Sequence, residues 1–184
     1  MVIGAGAAGS MAAIFAARAG NDVLVFEKNA KTGKKIYITG KGRCNLTNAV
    51  ENDELIKNTI RNPKFMYSAY SAFSSNDTIG FFEKLNCPIK VERGNRAFPV
   101  SDYSSDIIKA LDKAMEEAGV KVRYNTPVEQ LVISDDGATI KGIKLRDGKI
   151  VEAEKGFALL AFDSQDIHTF LIYGMKTVQS GTLW

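Results

Sequence analysis

Val2-Ile3-Gly4-Ala5-Gly6-Ala7-Ala8-Gly9, the alanine-rich run Ser10 to Ala19 closed by Gly20, and Val23-Leu24-Val25-Phe26-Glu27 together decide how this chain folds. Two apolar residues run straight into a Gly-x-Gly-x-x-Gly turn, a helix follows, and a second apolar strand ends on an acid. Strand, tight turn, helix and strand make a βαβ unit, whose strands lie parallel. Each glycine has a steric task. Gly4 makes the sharp turn, Gly6 lets a ligand approach the backbone, and Gly9 lets the helix pack closely on the strand. Ala12, Ala13, Ala16 and Ala17 keep that helix slim. Only Met1, Val2 and Ile3 precede the turn, against a usual strand of about five or six residues, so the first strand reads as clipped at its start.

The unit points to a diphosphate. Unpaired N–H groups and a dipole worth about half a positive charge favour an anion at the helix start. Glu27 lies 18 positions after Gly9, where an acid closing the second strand accepts from ribose hydroxyls. A purely local glycine turn with Glu27 in solvent is the competing reading; the agreement of turn, helix, strand and terminal acid favours a dinucleotide. The carboxylate would repel a 2′-phosphate, which favours FAD or NAD over NADP. The candidate cofactor-binding residues here are Gly4, Gly6, Ala7, Ala8, Gly9 and Glu27.

Composition sets the bounds. The 184 residues carry 24 Lys+Arg against 21 Asp+Glu and are 45% hydrophobic, which excludes a disordered or fibrous chain. A net charge of +3 is too mild to imply nucleic acid by itself. Cys44 and Cys87 form neither a metal pair nor a redox pair, so a reducing cytosol is the expected compartment. The Gly9 to Phe26 stretch has no basic segment before it and is interrupted by Arg18, Asn21 and Asp22, which argues against export and membrane insertion.

The cations cluster once. Lys28, Lys31, Lys34, Lys35, Lys41 and Arg43 occur with no acid among them and with Gly33, Gly40 and Gly42 interleaved. Gly40 and Gly42 allow backbone amides to converge on an anion, and Arg43 offers a planar fork for phosphate or carboxylate. Asn45, Thr47 and Asn48 add polar contacts. A solvated, flexible crossover is one alternative, and a nucleic-acid patch is another. The latter normally interleaves aromatics for stacking, and only Tyr37 is present. Cys44 beside Arg43 reads as an activated thiol or, in preference, as a buried inert cysteine.

Three stretches carry a family resemblance: the Gly4 to Gly9 turn with Glu27-Lys28-Asn29; Thr39-Gly40-Lys41-Gly42-Arg43-Cys44-Asn45-Leu46-Thr47-Asn48; and Glu92-Arg93-Gly94-Asn95-Arg96-Ala97-Phe98-Pro99-Val100-Ser101-Asp102. Over Met1 to Ala161 the chain resembles the BaiN-like bacterial flavoproteins, a family of NAD(P)/FAD-dependent or aminoacetone-oxidase-like oxidoreductases. The resemblance implies an α/β, Rossmann-like FAD/NAD(P)-binding domain of the glutathione-reductase type, layered β/β/α. It places the pyrophosphate on Gly4 to Gly9 and the adenosine ribose on Glu27. Lys28, Lys34, Lys35, Gly40, Gly42, Arg43 and Asn45 would lie along the FAD or near its ring, and Val128 would contact adenine through its backbone. The family continues into an Ala-Thr-Gly-Gly turn, where this chain has Leu159-Leu160-Ala161-Phe162-Asp163-Ser164. Residues 162–184 are therefore expected to be an atypical tail on a truncated or fragmentary domain.

Between these stretches, Asp53 to Ile60 and Lys64 to Phe73 read as short helices, and a third follows Asp77 as its cap, giving a helical insertion over about 49–90. Phe65, Met66, Tyr70, Phe73, Phe81 and Phe82 form an aromatic stripe expected to be core rather than pocket lining. Arg93 and Arg96 flank Gly94 in a loop that suits an acidic substrate or plain solvation equally. A helix capped near Ser105 carries Ile107, Ile108, Leu111, Met115 and Ala118 on one face and stops at Gly119. Val120 to Tyr124 reads as a strand. Val128 to Ser134, Thr139 to Arg146 and Lys149 to Ala153 read as a β-meander over about 128–153, Asp147-Gly148 signalling a type I′ hairpin. Phe157 to Ala161 would return as a further parallel strand. No linker is visible, so residues 1–161 are expected to form one domain.

These readings favour a cytoplasmic FAD-dependent oxidoreductase acting on a small organic molecule, with a nicotinamide nucleotide as an open second partner. A non-catalytic dinucleotide-binding fragment is the alternative, and an RNA-binding domain using Lys28 to Arg43 is the weakest reading. No metal, membrane or nucleic-acid partner is expected, and oligomeric state is not legible. The catalytic residue is not identified: His168, the only histidine, falls in the tail, and Cys44, Asp102 and Tyr103 are the conceivable proton donors.

Overall fold

The computed structural model of the protein describes residues 1–135 and 137–152. The chain divides into two compact units, one made of residues 1–34 with the described residues from Asp112 onward, the other of residues 35–111. Composition gives no sign of this division. The second unit interrupts the crossover between two parallel strands, and its boundaries fall within helices instead of glycine-, proline- or serine-rich linkers.

The first unit begins with β1 (Val2–Ile3), α1 (Ala7–Arg18) and β2 (Leu24–Phe26). After the second unit come β6 (Lys121–Arg123), β7 (Val128–Ile133), β8 (Ile140–Leu145) and β9 (Ile150–Glu152). The order β1-β2-β6 is all parallel, with Val2 opposite Val25 and Val25 opposite Val122. Strand alternation then sorts the two faces. Phe26 lies in a core cluster with Leu131, Ile143 and Leu145, against which Met1, Ile3 and Leu24 pack, so that face carries the antiparallel meander β7-β8-β9. Val2 faces the other way, toward α1 at Gly9. The result is a Rossmann-like β/β/α sandwich with a two-residue first strand, as short as its three-residue lead predicts. Phe157 to Ala161 and everything after it lie outside the described residues.

Two local expectations change. Helix α1 starts at Ala7 instead of Ser10, because Gly6 in extended backbone serves as its N-cap and the two alanines are good helix formers. The β8–β9 turn is not type I′: Gly148 has φ +85° but Asp147 is not left-handed. Gly148 N–H donates to Leu145 O (2.9 Å) and Leu145 N–H to Lys149 O (2.8 Å), a three-residue loop of type I turn plus glycine bulge.

The second unit holds α2 (Lys34–Ile38, begun in the first unit), β3 (Thr47–Asn48), α3 (Asn52–Lys57), α4 (Pro63–Ala72), α5 (Ser75–Lys84), β4 (Ile89–Glu92) and β5 (Arg96–Pro99). α6 (Ser104–Glu117) then crosses the boundary. Strands β3-β5-β4 make an antiparallel sheet, and α5 packs on β3 and β4. Phe81, Phe82, Ala97 and Phe98 are buried. Helix α5 is capped by Ser74, whose hydroxyl accepts from Asp77 N–H (3.1 Å) while Asp77 Oδ2 accepts from Ser74 N–H (2.8 Å). Asp77 is therefore the third residue of a capping box and not the cap itself. Phe65 departs from the aromatic stripe: α4 turns Met66 and Tyr70 inward, Phe73 is half-buried in extended backbone at its C-cap, and Phe65, one step round the helix from Met66, is 75% exposed.

Candidate functional site

In the first unit the glycine turn is locked by its own backbone. Gly4 N–H donates to Phe26 O at 2.7 Å, which binds the turn to the end of β2. A Cβ on Gly9 would collide with the carbonyl oxygen of Gly4, with Val2 Cγ1 3.5 Å away. Backbone cannot step aside as a flexible side chain can, so only glycine permits this approach of helix to strand. No side chain caps α1 at Gly6, and Ala7 and Ala8 are exposed. The start of this 12-residue helix thus presents backbone and small side chains, with the dipole favouring an anion there.

Glu27 is 6% exposed and oriented on both sides. Its Oε2 accepts from Ala5 N–H at 2.7 Å, and Oε1 accepts from Asn29 N–H at 2.8 Å and Asn29 Nδ2 at 2.6 Å. Lys34 Nζ donates to Asn29 Oδ1 at 3.3 Å. A carboxylate has about four lone-pair sites; three are used, which leaves room for one more donor such as a ribose hydroxyl. The segment behind Glu27 is held firmly. Gly33 N–H donates to Ala5 O, Thr126 N–H to Glu27 O, and the Thr32 and Tyr124 hydroxyls are 2.9 Å apart. Gly4, Gly6, Ala7, Ala8, Gly9 and Glu27 thus come together at one end of the parallel sheet. Lys28 is exposed in the same connection, while Val128 opens β7 opposite Leu145 with its side chain against the core cluster. Asn29 was not picked out from sequence, although an amide two residues after a buried acid is a local signal for such pairing.

These residues fit the adenosine diphosphate half of a dinucleotide: a helix start without a side-chain cap, a glycine whose Cβ has no room, and a buried, oriented acid.

In the second unit the other candidates form a separate constellation. Lys35 is exposed on α2, and Asn45 is exposed after a turn in which Gly40, Lys41 and Cys44 are all left-handed. A Cβ on Gly40 would come to 2.8 Å of Asn45 N and 3.4 Å of the Phe98 ring. Gly42 is left-handed as well, with open space around it. Arg43 is held by carboxylates: its guanidinium donates to Glu92 Oε1 and, at 2.6 and 2.8 Å, to Asp102 Oδ1, and it lies 4.2 Å from the Phe98 ring centroid. Lys90 Nζ completes the network on Asp102 Oδ2 at 2.7 Å. The family-like stretches around Arg43 and around Glu92 to Asp102, more than forty residues apart, are thereby one structure. They also pair directly, Thr47 with Ala97 and Asn48 with Arg96.

The network decides between the conceivable proton donors. Lys90 and Arg43 hold the Asp102 carboxyl below its usual range, and Arg43 does the same to Glu92. Both are acceptors near neutral pH. Burial pushes the Cys44 thiol up, so it stays protonated, as an inert buried cysteine does. Tyr103 is 67% exposed. His168 lies outside the described residues, and among the described residues no cluster of His, Cys, Asp and Glu suits a metal ion. No helix among them is long and apolar enough to cross a membrane.

Comparison with known proteins agrees with this geometry. Residues 1–165 match the family described as HI0933-like protein Rossmann domain. The chain is 34% identical over 156 residues to the 3-dehydro-bile acid delta(4,6)-reductase of Clostridium scindens, covering 84% of this chain and 36% of that protein. It is 30% identical over 162 residues to the ribosomal RNA dihydrouridine synthase of Escherichia coli, covering 86% and 40%. The chain therefore spans about two fifths of the length of these relatives. Among solved structures it is similar to a flavocytochrome c3 fumarate reductase in its open conformation (TM-score 0.66, 24% identity, 85% of this chain and 32% of that one). It is also similar to the 3-ketosteroid-delta4-(5alpha)-dehydrogenase of Rhodococcus jostii (TM-score 0.65, 19% identity, 86% and 44%). At these identities the structures speak to the fold alone.

Proposed function

The chain belongs to the family of HI0933-like Rossmann domains, and we propose that it is the FAD-binding part of a flavin-dependent oxidoreductase. The observation that carries this reading is the join between the turn and the acid: Glu27 is buried, accepts from Ala5 N–H inside the glycine turn, and keeps acceptor capacity for a ribose hydroxyl. The helix start at Gly6 to Gly9 would take the pyrophosphate, with Lys34 anchored beside it through Asn29. Arg43, Lys35, Gly40, Gly42, Asn45 and Val128 are proposed as further contacts along the cofactor. Arg43 would contribute as a neutralised, carboxylate-held group and not as a free fork.

Bound flavin supplies hydride transfer, and the protein supplies orientation and electrostatics. The two sequence relatives are named for delta(4,6)-reduction of a 3-dehydro-bile acid and for synthesis of dihydrouridine. The reaction class common to those names is saturation of a carbon–carbon double bond conjugated to a carbonyl, and we assign that class to the whole enzyme. A nicotinamide nucleotide is the proposed electron donor, and the two buried thiols suit a reducing cytosol. The experiment is reconstitution with FAD, removal of free flavin, and the visible spectrum of the protein. Retained flavin that ADP displaces supports the reading, and a colourless protein at saturating FAD refutes it. Retained flavin without turnover would assign this chain to the alternative, a dinucleotide-binding module.

A further inference from the structure

The helical hairpin α3–α4 of the second unit carries exposed apolar side chains together with an acidic end and a basic end. Its two helices pack antiparallel, since Asn52 Nδ2 at the start of α3 donates to Tyr70 O near the end of α4 at 2.9 Å. The base of the hairpin therefore holds exposed Asp53 and Glu54, in the first turn of α3. Its tip holds exposed Lys57, one turn further along, with Arg61 in the connecting loop and Lys64 in the first turn of α4. Among the described residues, no ion pair joins these acids to these cations. No residue of either helix is fully buried. At about 100° per residue, the half-buried Met66 and Tyr70 share the inner face of α4. Phe65 and Tyr67 stand on its two flanks, 75% and 60% exposed, and Ile60 in the loop is 96% exposed.

Apolar groups this exposed and grouped mark an interaction surface, and the charges around them say what covers it. A uniformly anionic partner would meet Asp53 and Glu54; a uniformly cationic one would meet Lys57, Arg61 and Lys64. The matching partner carries acids and cations in the reverse order, with apolar groups of its own. The same hairpin turned end over end is such a partner, because the two halves of a two-fold interface are one patch used twice. We propose that the α3–α4 hairpin is the interface of a homodimer. Asp53 and Glu54 of each copy face Lys57, Arg61 and Lys64 of the other, and Ile60, Phe65 and Tyr67 of both copies are covered. Aromatic and arginine side chains are the usual anchors of such a contact. One hairpin face is small against the about 800 Å² per partner of a standard interface, so the dimer is reversible, with a Kd of roughly 1–100 μM. The inference goes beyond the flavin reading and does not depend on it.

The test is sedimentation velocity of the full 184-residue chain over about 1–300 μM, a range that brackets the expected Kd. A concentration-dependent shift from monomer to dimer is expected. Joint I60S and F65S substitution should raise the Kd about 10-fold or more. Joint D53K and E54K substitution should abolish the dimer by setting cation against cation, and joint K57E, R61E and K64E substitution should do so by setting acid against acid. An equimolar mixture of these two charge-reversed variants should dimerise again, because each reversed end then meets its opposite. All seven side chains are exposed, so circular dichroism should show every variant folded, and recovery in the mixture confirms it for the charge-reversed pair. A parent chain that stays monomeric throughout the range, or a dimer that the substitutions leave intact, would overturn the proposal. Failure of the mixture of folded variants to dimerise would overturn the end-over-end pairing. Capture of a monomeric parent chain by phosphatidylserine vesicles, lost in K57E, R61E and K64E, would overturn it in favour of a membrane. Flavin retention, read separately from the visible spectrum, keeps failure here distinct from failure of the oxidoreductase reading.

Discussion

Replacing Glu27 with alanine should weaken the fold and the cofactor site together, by amounts that follow from its three hydrogen bonds. Ala5 is fully buried, and its N–H donates to Glu27 Oε2; left without an acceptor it costs about 1–3 kcal/mol. The two Asn29 donors are part-buried and regain water, so each loses about 0.5–1 kcal/mol. The expected destabilisation is thus about 2–5 kcal/mol in urea unfolding, or roughly 4–20 °C in Tm for a chain of this size. Glu27→Gln should lose less, about 1–2 kcal/mol. Its single acceptor oxygen can still serve Ala5, but its amide then faces Asn29 donor to donor. Calorimetry with ADP reads the other half. Loss of a carboxylate bond to a ribose hydroxyl should weaken binding by roughly 10- to 150-fold. Glu27→Ala within about 0.5 kcal/mol of the parent would refute the structural role given to the carboxylate. Unchanged affinity for ADP would refute the ribose role, whatever the stability.

Gly9→Ala places a methyl group against the Gly4 carbonyl; that carbonyl is backbone and cannot step aside, so a loss of about 3 kcal/mol, or insoluble protein, is expected in denaturant titration. Ser74→Ala removes the cap of α5 and should cost about 1 kcal/mol by the same measurement, with ADP binding unchanged. Asp102 and Glu92 have folded-state pKa values below their ordinary 3.8 and 4.5. Their contribution to stability is therefore complete above those ordinary values and is lost as pH falls through the lower folded ones. The urea midpoint should drop between pH 5 and pH 3, and Asp102→Asn should make that drop shallower. Cys44 and Cys87 are buried thiols, so a thiol reagent should label them slowly in the native protein and rapidly in urea.

Much of the first unit was legible in the chain itself, because its determinants are local. The glycine spacing, the alanines and the acid at the end of β2 specify a βαβ turn within 27 residues, and each element forms close to where the pattern places it. The meander was readable for the same reason, through alternation and turn residues. Boundaries moved where one side chain or φ angle decides them, as at Ser74 in place of Asp77 and at Gly148 alone in place of Asp147-Gly148. Phe65 shows the limit of the helical pattern: apolar spacing marks a face, yet only packing decides which neighbours that face includes.

What the sequence by itself determined is the presence of a diphosphate-binding turn and of an acid at the right remove, since both depend on contacts between near neighbours. Only the tertiary structure decided what that acid touches, that Arg43 spends its charge on Glu92 and Asp102, and that residues 35–111 form a compact unit of their own. Those contacts join residues from 22 to 59 positions apart. A charged side chain is free or neutralised according to which distant carboxylate the fold brings beside it, and spacing along the chain does not encode that.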